Sequence, residues 1–383
     1  MSTALSPEQT DLRDAVADLM TKRSPQSQVR RLMAGEAGHD PDIWADLAAM
    51  GLLGLVIPEE FGGSGAGAAE LAVVSEQMGR ALMVGPYLST AVLTPHLLLS
   101  LGDADECAEA LPRIAAGELI ATVAFAEADD AVPGHSGRAG SARPPAHPST
   151  TAATTAGGWL LTGEKTYVLD APTAERFYVP AQSPSGVAIF AVERDAPGLS
   201  VTPLNTVDRT RRLGGITLAG TPARLIGDPG TATRAMDTAL DRAAIALIAE
   251  QAGGAMHVTT MATDYARTRY QFGRAIGSFQ AVKHLCVDML LEAQSAVSAA
   301  RHVAAAFDAA EPDRCADLAL AQAYCSDAYV FTAATNIQVH GGIGFTWEHP
   351  AHLYLRRARG DAQIVGSPDW HRERYVALRE EDS

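Results

Sequence analysis

The spacing of apolar residues changes twice along this chain of 383 residues, and those two changes fix the order in which its structure can be built. From about Pro7 to Glu118, Leu12, Val16, Leu19 and Met20 recur at helical spacing, as do Ile43, Leu47 and Met50 ahead of Gly51. From about Leu119 to Ile226 the pattern shortens to strand-like runs: Leu119 to Phe125, Trp159 to Thr162, Lys165 to Leu169, Arg176 to Val179, Gly186 to Val192 and Ile216 to Ala219. After Asp228-Pro229-Gly230 helical spacing returns. Val282, Leu285, Met289, Ala293, Val297 and Ala300 mark one face of a long helix, and Cys315 to Val339 continues in the same manner. This order predicts an α+β protein: an N-terminal α-helical domain over 1–118, a middle antiparallel β domain over 119–227 and a C-terminal helical bundle over 228–383. Within the β domain, Asp129 to Ala156 is rich in Ala, Pro, Gly, Ser, Thr and His and has neither periodicity, which predicts a mobile excursion.

Composition narrows the partners. Hydrophobic residues at 47% and charged residues at 20% supply a sizeable core, and a net charge of −15 excludes nucleic acid as the main partner, because phosphate backbones need a basic surface. Cys107, Cys286, Cys315 and Cys325 form no CxxC pair, which argues against a zinc site or a disulfide framework and for a reducing compartment. Met1 to Gln9 has no basic region leading into an apolar core, and no apolar run reaches membrane-spanning length. A cytoplasmic location without a membrane partner is expected.

Two elements of the C-terminal part suit an anionic cofactor. The first is Tyr265-Ala266-Arg267-Thr268-Arg269-Tyr270-Gln271-Phe272-Gly273-Arg274, leading through Gly277 to Gln280 and a helix. A guanidinium grips pyrophosphate oxygens through two parallel hydrogen bonds, and a glycine lets the chain turn beside the ligand. The plainer reading of Arg269 is a pair with an acid on its own helix. The second element is Gln338-Val339-His340-Gly341-Gly342-Ile343-Gly344-Phe345, in which the glycines permit close backbone approach to a diphosphate, although a glycine cluster by itself more often just ends a helix.

These two elements, the loop Gly51 to Gly65 and the helix–strand–helix order resemble the acyl-CoA dehydrogenase family over essentially the whole chain. The resemblance implies that family's fold, with a four-helix bundle in the C-terminal domain, and FAD as cofactor. It implies an oxidoreductase acting on a CH–CH group: a carboxylate takes the α-proton of an acyl-CoA while the flavin takes the β-hydride. It further implies that Arg269, Gln271, Phe272, Gln338, Gly341 and Gly342 contact FAD across a subunit interface, with His340 structural.

The chain departs from the family at the residues that serve its own site. The position before the late Gly366-Ser367 pair, commonly the glutamate base, is Val365. The alternative base position, in Leu240-Asp241-Arg242-Ala243-Ala244, is Ala243, and the arginine that normally follows is Ala244. The Thr-Glu-Pro and Trp-Ile-Thr segments that normally cover the flavin correspond to Ala126-Glu127-Ala128 and Tyr167-Val168-Leu169, so both threonine hydroxyls are gone. Glu250, Asp361 and Asp369 are the nearest acids in sequence to the lost bases.

Losses on one side and retention on the other imply a subunit with no catalytic base that completes the FAD site of a homologous subunit carrying one. The run His340 to Tyr354 is also similar to the heteromeric α2β2 acyl-CoA dehydrogenases of steroid side-chain CoA esters. In such a complex the partner binds most of the acyl-CoA, and an electron-transfer flavoprotein or similar acceptor takes the electrons. Two other readings stay open: a self-sufficient homotetrameric dehydrogenase with an acid such as Glu250 as base, and a flavin-free structural partner.

Overall fold

The structure is a computed structural model that describes residues 4–35, 38–127 and 148–381. Ser6 opens α1 (Pro7–Arg23) with a reciprocal cap: its Oγ accepts from the Gln9 amide at 3.2 Å, and its own amide donates to the Gln9 side chain at 3.1 Å. Such a cap contributes about 1 kcal/mol. Then come α2 (Gln26–Ala34), α3 (Pro41–Ala49), α4 (Ala68–Arg80), a buried π-helical segment (Tyr87–Leu93), α5 (Thr94–Leu101) and α6 (Ala104–Ala115). The strands are β1 (Ala121–Val123), β2 (Thr151–Thr155), β3 (Gly158–Leu169), β4 (Arg176–Ser183), β5 (Gly186–Glu193), β6 (Leu199–Pro203) and β7 (Leu213–Ile226). Helix α7 (Ala232–Thr268) leads into a hairpin, β8 (Tyr270–Gln271) and β9 (Arg274–Ala275). The chain ends with α8 (Gln280–Asp308), α9 (Arg314–His340), α10 (Ala351–Ile364) and α11 (Pro368–Glu381).

Two compact units are formed. One comprises Met1–Arg30, Ala68–Met83 and Ala244–Ser383, the other Arg31–Gly67 and Val84–Ala243. In the second unit, hydrogen bonding runs β1-β4-β2-β3-β7-β5 and returns from β5 to β4, with β6 on β7. Leu161, Phe177, Val179, Phe190, Ile216 and Leu218 form the centre of its core. Pairing is antiparallel as expected, except that β1 lies parallel to β4 and Thr151 pairs parallel with Gln182. Long connections, rather than tight turns, join those segments, so nothing forces them antiparallel.

The sequence pattern missed two strands. Strand β2 falls inside the excursion expected over 129–156; four of its five residues are exposed threonines or alanine, so it lacks apolar alternation, yet it pairs fully with β3 from Thr151↔Thr162 to Thr155↔Gly158. Residues 128–147 of that stretch lie outside the described residues. Strand β6 is also without a buried residue. The two runs expected at Trp159 to Thr162 and Lys165 to Leu169 are one strand, β3, irregular at Leu161/Thr162 and Lys165/Val168.

In the first unit, Asp308 at the end of α8 accepts from the amides of Ala68 at 2.7 Å and Ala69 at 2.9 Å, capping α4 from 240 residues away. Helix α9 is buried on most of its surface. No helix among the described residues is long and apolar enough to cross a membrane.

Candidate functional site

Three side-chain pairs fix how α7 lies against α9. Gln251 Nε2 donates to Ser326 Oγ at 3.0 Å, Asn336 Nδ2 donates to Met261 Sδ at 3.4 Å, and the rings of Tyr265 and His340 stack with centroids 4.3 Å apart. Each pair is separated by 75 residues. A constant separation over four turns means that the helices run parallel and in register, so they end together, α7 at Thr268 and α9 at His340. The two motifs picked out from the sequence therefore emerge at one end of the same bundle.

His340 is held firmly there. Its ring lies against Tyr265 on one side and His349 on another, the latter also at 4.3 Å, and its Nδ1 donates to the Asn336 carbonyl at 2.8 Å. Burial lowers its pKa, so the ring is neutral near pH 7 and acts as a spacer between helix ends.

Beyond α7 the chain reverses in a two-residue turn, with Phe272 at φ 51° and Gly273 at φ 78°. Positive φ at both central residues is the type I′ geometry that suits a tight hairpin, and it pushes Phe272 outward to 91% exposure. Arg269 and Gln271 are also exposed. Among the described residues no carboxylate pairs with Arg269; the acid on its own helix, Asp264, is 3.8 Å from Arg267 instead. Gln338 is exposed as well, and its carbonyl accepts from the Gly341 amide. Gly341 turns the chain at φ 63°, and a Cβ added at Gly341 or Gly342 would meet nothing within 4 Å. A partnerless guanidinium, a free amide and open backbone are what a phosphate-bearing group needs, so these residues fit one.

The positions for a base present the opposite character. Val365 is 3% exposed, and its carbonyl accepts from His371 Nε2 at 3.1 Å. Ala243 and Ala244 are 1% and 2% exposed. Of the nearby acids, Glu250 pairs with the buried guanidinium of Arg357, which also donates to the Met83 carbonyl at 3.1 Å. Asp361 is buried, and Asp369 is an exposed partner of Arg372 at 2.8 Å.

In the sheet unit lie the segments that correspond to the family's flavin-covering pair, Ala126-Glu127-Ala128 and Tyr167-Val168-Leu169. Val168 and Leu169 are buried, while Tyr167 stands at φ 50° in the second irregularity of β3 and is 57% exposed. Ala126 offers only its carbonyl, to the Thr166 amide at 2.9 Å, and Ala128 lies outside the described residues. Glu127 is the residue the sequence pattern overlooked. It accepts from Ser149 N and Oγ at 2.6 Å each, from Thr150 N at 3.1 Å and Oγ1 at 2.7 Å, and from Lys165 Nζ at 2.5 Å. Burial by itself would raise its pKa, but the Lys165 ammonium and these hydrogen bonds win and hold it at about 2. The available signal was Lys165 itself, a charge on an inward position of a strand whose other buried residues, Leu161, Val168 and Leu169, are apolar.

Residues 6–118 match the family described as acyl-CoA dehydrogenase, N-terminal domain, and residues 232–377 match acyl-CoA dehydrogenase, C-terminal domain. The chain is 34% identical over 362 residues to the acyl-CoA dehydrogenase IpdE2 of Mycobacterium tuberculosis, covering 94% of each. Among solved structures it is similar to the ChsE4-ChsE5 complex from Mycobacterium tuberculosis, with TM-score 0.87 and 28% identity over 100% of this chain and 99% of that one. It is likewise similar to a variant of the Tcur3481-Tcur3483 steroid ACAD, with TM-score 0.84 and 28% identity over 98% of each.

Proposed function

Because the chain belongs to the acyl-CoA dehydrogenase family, whose cofactor is FAD, we propose that it is a subunit that completes the FAD site of a homologous, base-carrying partner. One observation carries this reading. The motif residues that would face a neighbour's cofactor are exposed and gathered at one end of α7 and α9, whereas both base positions are apolar and buried. Arg269 would grip the FAD pyrophosphate, Gln338 would hydrogen-bond the cofactor, Gly341 and Gly342 would admit it to the backbone, and Gln271 and Phe272 would flank it. FAD supplies the hydride acceptor for α,β-dehydrogenation of an acyl-CoA, and the partner's carboxylate receives the α-proton. This chain's contribution is to bind, orient and shield.

The assembly is an α2β2 heterotetramer, and the substrate is the CoA ester of a steroid side chain, taken up mainly by the partner. Likeness to the steroid ACAD and to the ChsE4-ChsE5 complex supports both statements. An electron-transfer flavoprotein or similar carrier takes the electrons. The self-sufficient reading needs an unrecognised acid as base, and for Glu250, the example given above, the Arg357 ion pair argues against that role.

Co-expression with candidate partner subunits, followed by native mass and flavin absorbance, tests the proposal. One flavin per two chains is expected, with a colourless preparation of this chain alone. A yellow homo-oligomer whose flavin is bleached by an acyl-CoA would overturn it, and a partnered complex without flavin would leave only a structural role.

A further inference from the structure

A pocket of about 680 Å3 opens in the first unit, lined from α1, α4, α7, α8, α10 and the start of α2. None of the residues assigned to the cofactor lines it. Its size lies within the range of about 300–1,000 Å3 typical of small-molecule sites.

The charges around it do not balance. Arg13, Arg80 and Arg301 line it, against a single carboxylate, Glu76, which Arg301 takes at 3.2 Å. Arg13 pairs with Asp14 at 2.7 Å. Among the described residues no carboxylate pairs with Arg80, and Arg301 Nε is buried with no hydrogen-bond partner. A buried donor left unmade is costly, and a partnerless guanidinium in a chain of net charge −15 stands out against its surroundings. Tyr354, stacked on His257 at 5.0 Å, donates its hydroxyl to the Arg80 carbonyl at 2.9 Å and so fixes that residue at the pocket wall. Burial and the Arg80 charge hold His257 down to about 4, so it stays neutral and adds no competing charge. Met20, Met261, Ala17 and Ala81 supply apolar lining, beside the polar Thr21, Ser24, Gln26 and Gln77.

We propose that this pocket binds a small amphiphilic anion, with its head group on Arg80 and the Nε of Arg301 and its apolar body along Met20 and Met261. The head group is a carboxylate or a phosphate monoester, both of which accept two or more charge-assisted hydrogen bonds. The site is independent of the flavin chemistry proposed above.

The test uses the full chain labelled with 13C at the methionine methyls and titrated separately with octanoate, octyl phosphate and 1-octanol. Saturable shifts of the Met20 and Met261 methyls are expected with one or both anions and not with the alcohol; the tighter anion identifies the head group. Arg80→Gln should weaken that binding about tenfold or more, and Arg80→Lys should retain part of it. Because the Arg80 side chain has no described ion-pair partner, both variants should melt with the parent. Equal binding of octanol, unchanged affinity in Arg80→Gln, or no saturable shift at millimolar anion would overturn the proposal. The wild-type comparison of anion with alcohol decides the question even where a variant folds poorly.

Discussion

Tyr265 and His340 stack with ring centroids 4.3 Å apart, and that contact joins the last turn of α7 to the last turn of α9. It is the outermost of three contacts at the same register, so it sets where the two exposed motifs leave the bundle.

A double-mutant cycle on this pair should show real coupling. Tyr265→Ala and His340→Ala should each lower stability, and the pair should couple by about 0.5–1.5 kcal/mol, as read from urea denaturation. Strict additivity would mean that the stacking does not tie the helix ends.

Arg269→Ala tests the cofactor contact. The side chain is exposed and has no described ion-pair partner, so the melting temperature of the chain should stay within about 1–2 °C of the parent. Flavin retention by the partnered complex should fall about tenfold or more, since a charge-assisted bond to phosphate is lost. Flavin content equal to that of the parent complex would remove the main site assignment.

Restoring one carboxylate should not restore an enzyme. Val365→Glu places an acid where 3% of the surface is accessible, which costs about 2 kcal/mol or more without a partner. Burial raises the folded-state pKa of such a group above its unfolded value, so the variant should be less stable at pH 8 than at pH 5 relative to the parent. Acyl-CoA-dependent bleaching of flavin by this chain alone would contradict the reading, because Ala243, Ala244, Ala126 and Leu169 remain unchanged.

Glu250→Gln separates a structural acid from a base. It should destabilise the chain by about 1–3 kcal/mol by removing the charge that pairs with the buried Arg357 guanidinium, while the partnered complex keeps its turnover per bound flavin. Loss of turnover with full flavin content would revive the self-sufficient mechanism.

Glu127 and Lys165 predict an acid limit. The carboxyl is held at about 2, below its ordinary value of 4.5, so the folded state binds fewer protons than the unfolded state between those values. Its stabilisation is complete above about pH 5 and is lost as pH falls through 4.5 toward 2, by roughly 2–3 kcal/mol. Glu127→Gln should flatten that part of the pH–stability curve and lower stability at pH 7, because the buried Lys165 ammonium then loses the Glu127 charge. An unchanged acid limb would show that other carboxylates control it.

Much of the architecture was legible because it rests on local pattern. The stripe from Val282 to Ala300 lies in α8, and Cys315 to Val339 lies in α9, whose bounds differ from that run by one residue at each end. Strands β2 and β6 were not legible, since exposed strands on a sheet edge or beside a neighbour carry no apolar alternation to read. In the site, the identities of Arg269, Gln338 and Val365 are plain from the sequence, whereas nothing local distinguishes Glu127 from a remnant of a flavin-covering segment; its five hydrogen bonds do.

The sequence by itself determined the order of helices and strands and which chemical groups are present or missing, because periodicity and residue type are local properties. Only the tertiary structure decided that α7 and α9 run parallel in one register, that Arg357 claims Glu250, and that Lys165 claims Glu127. Those outcomes depend on which distant segments pack together and which buried charge then needs a counter-charge, and no stretch of the chain read alone contains both partners.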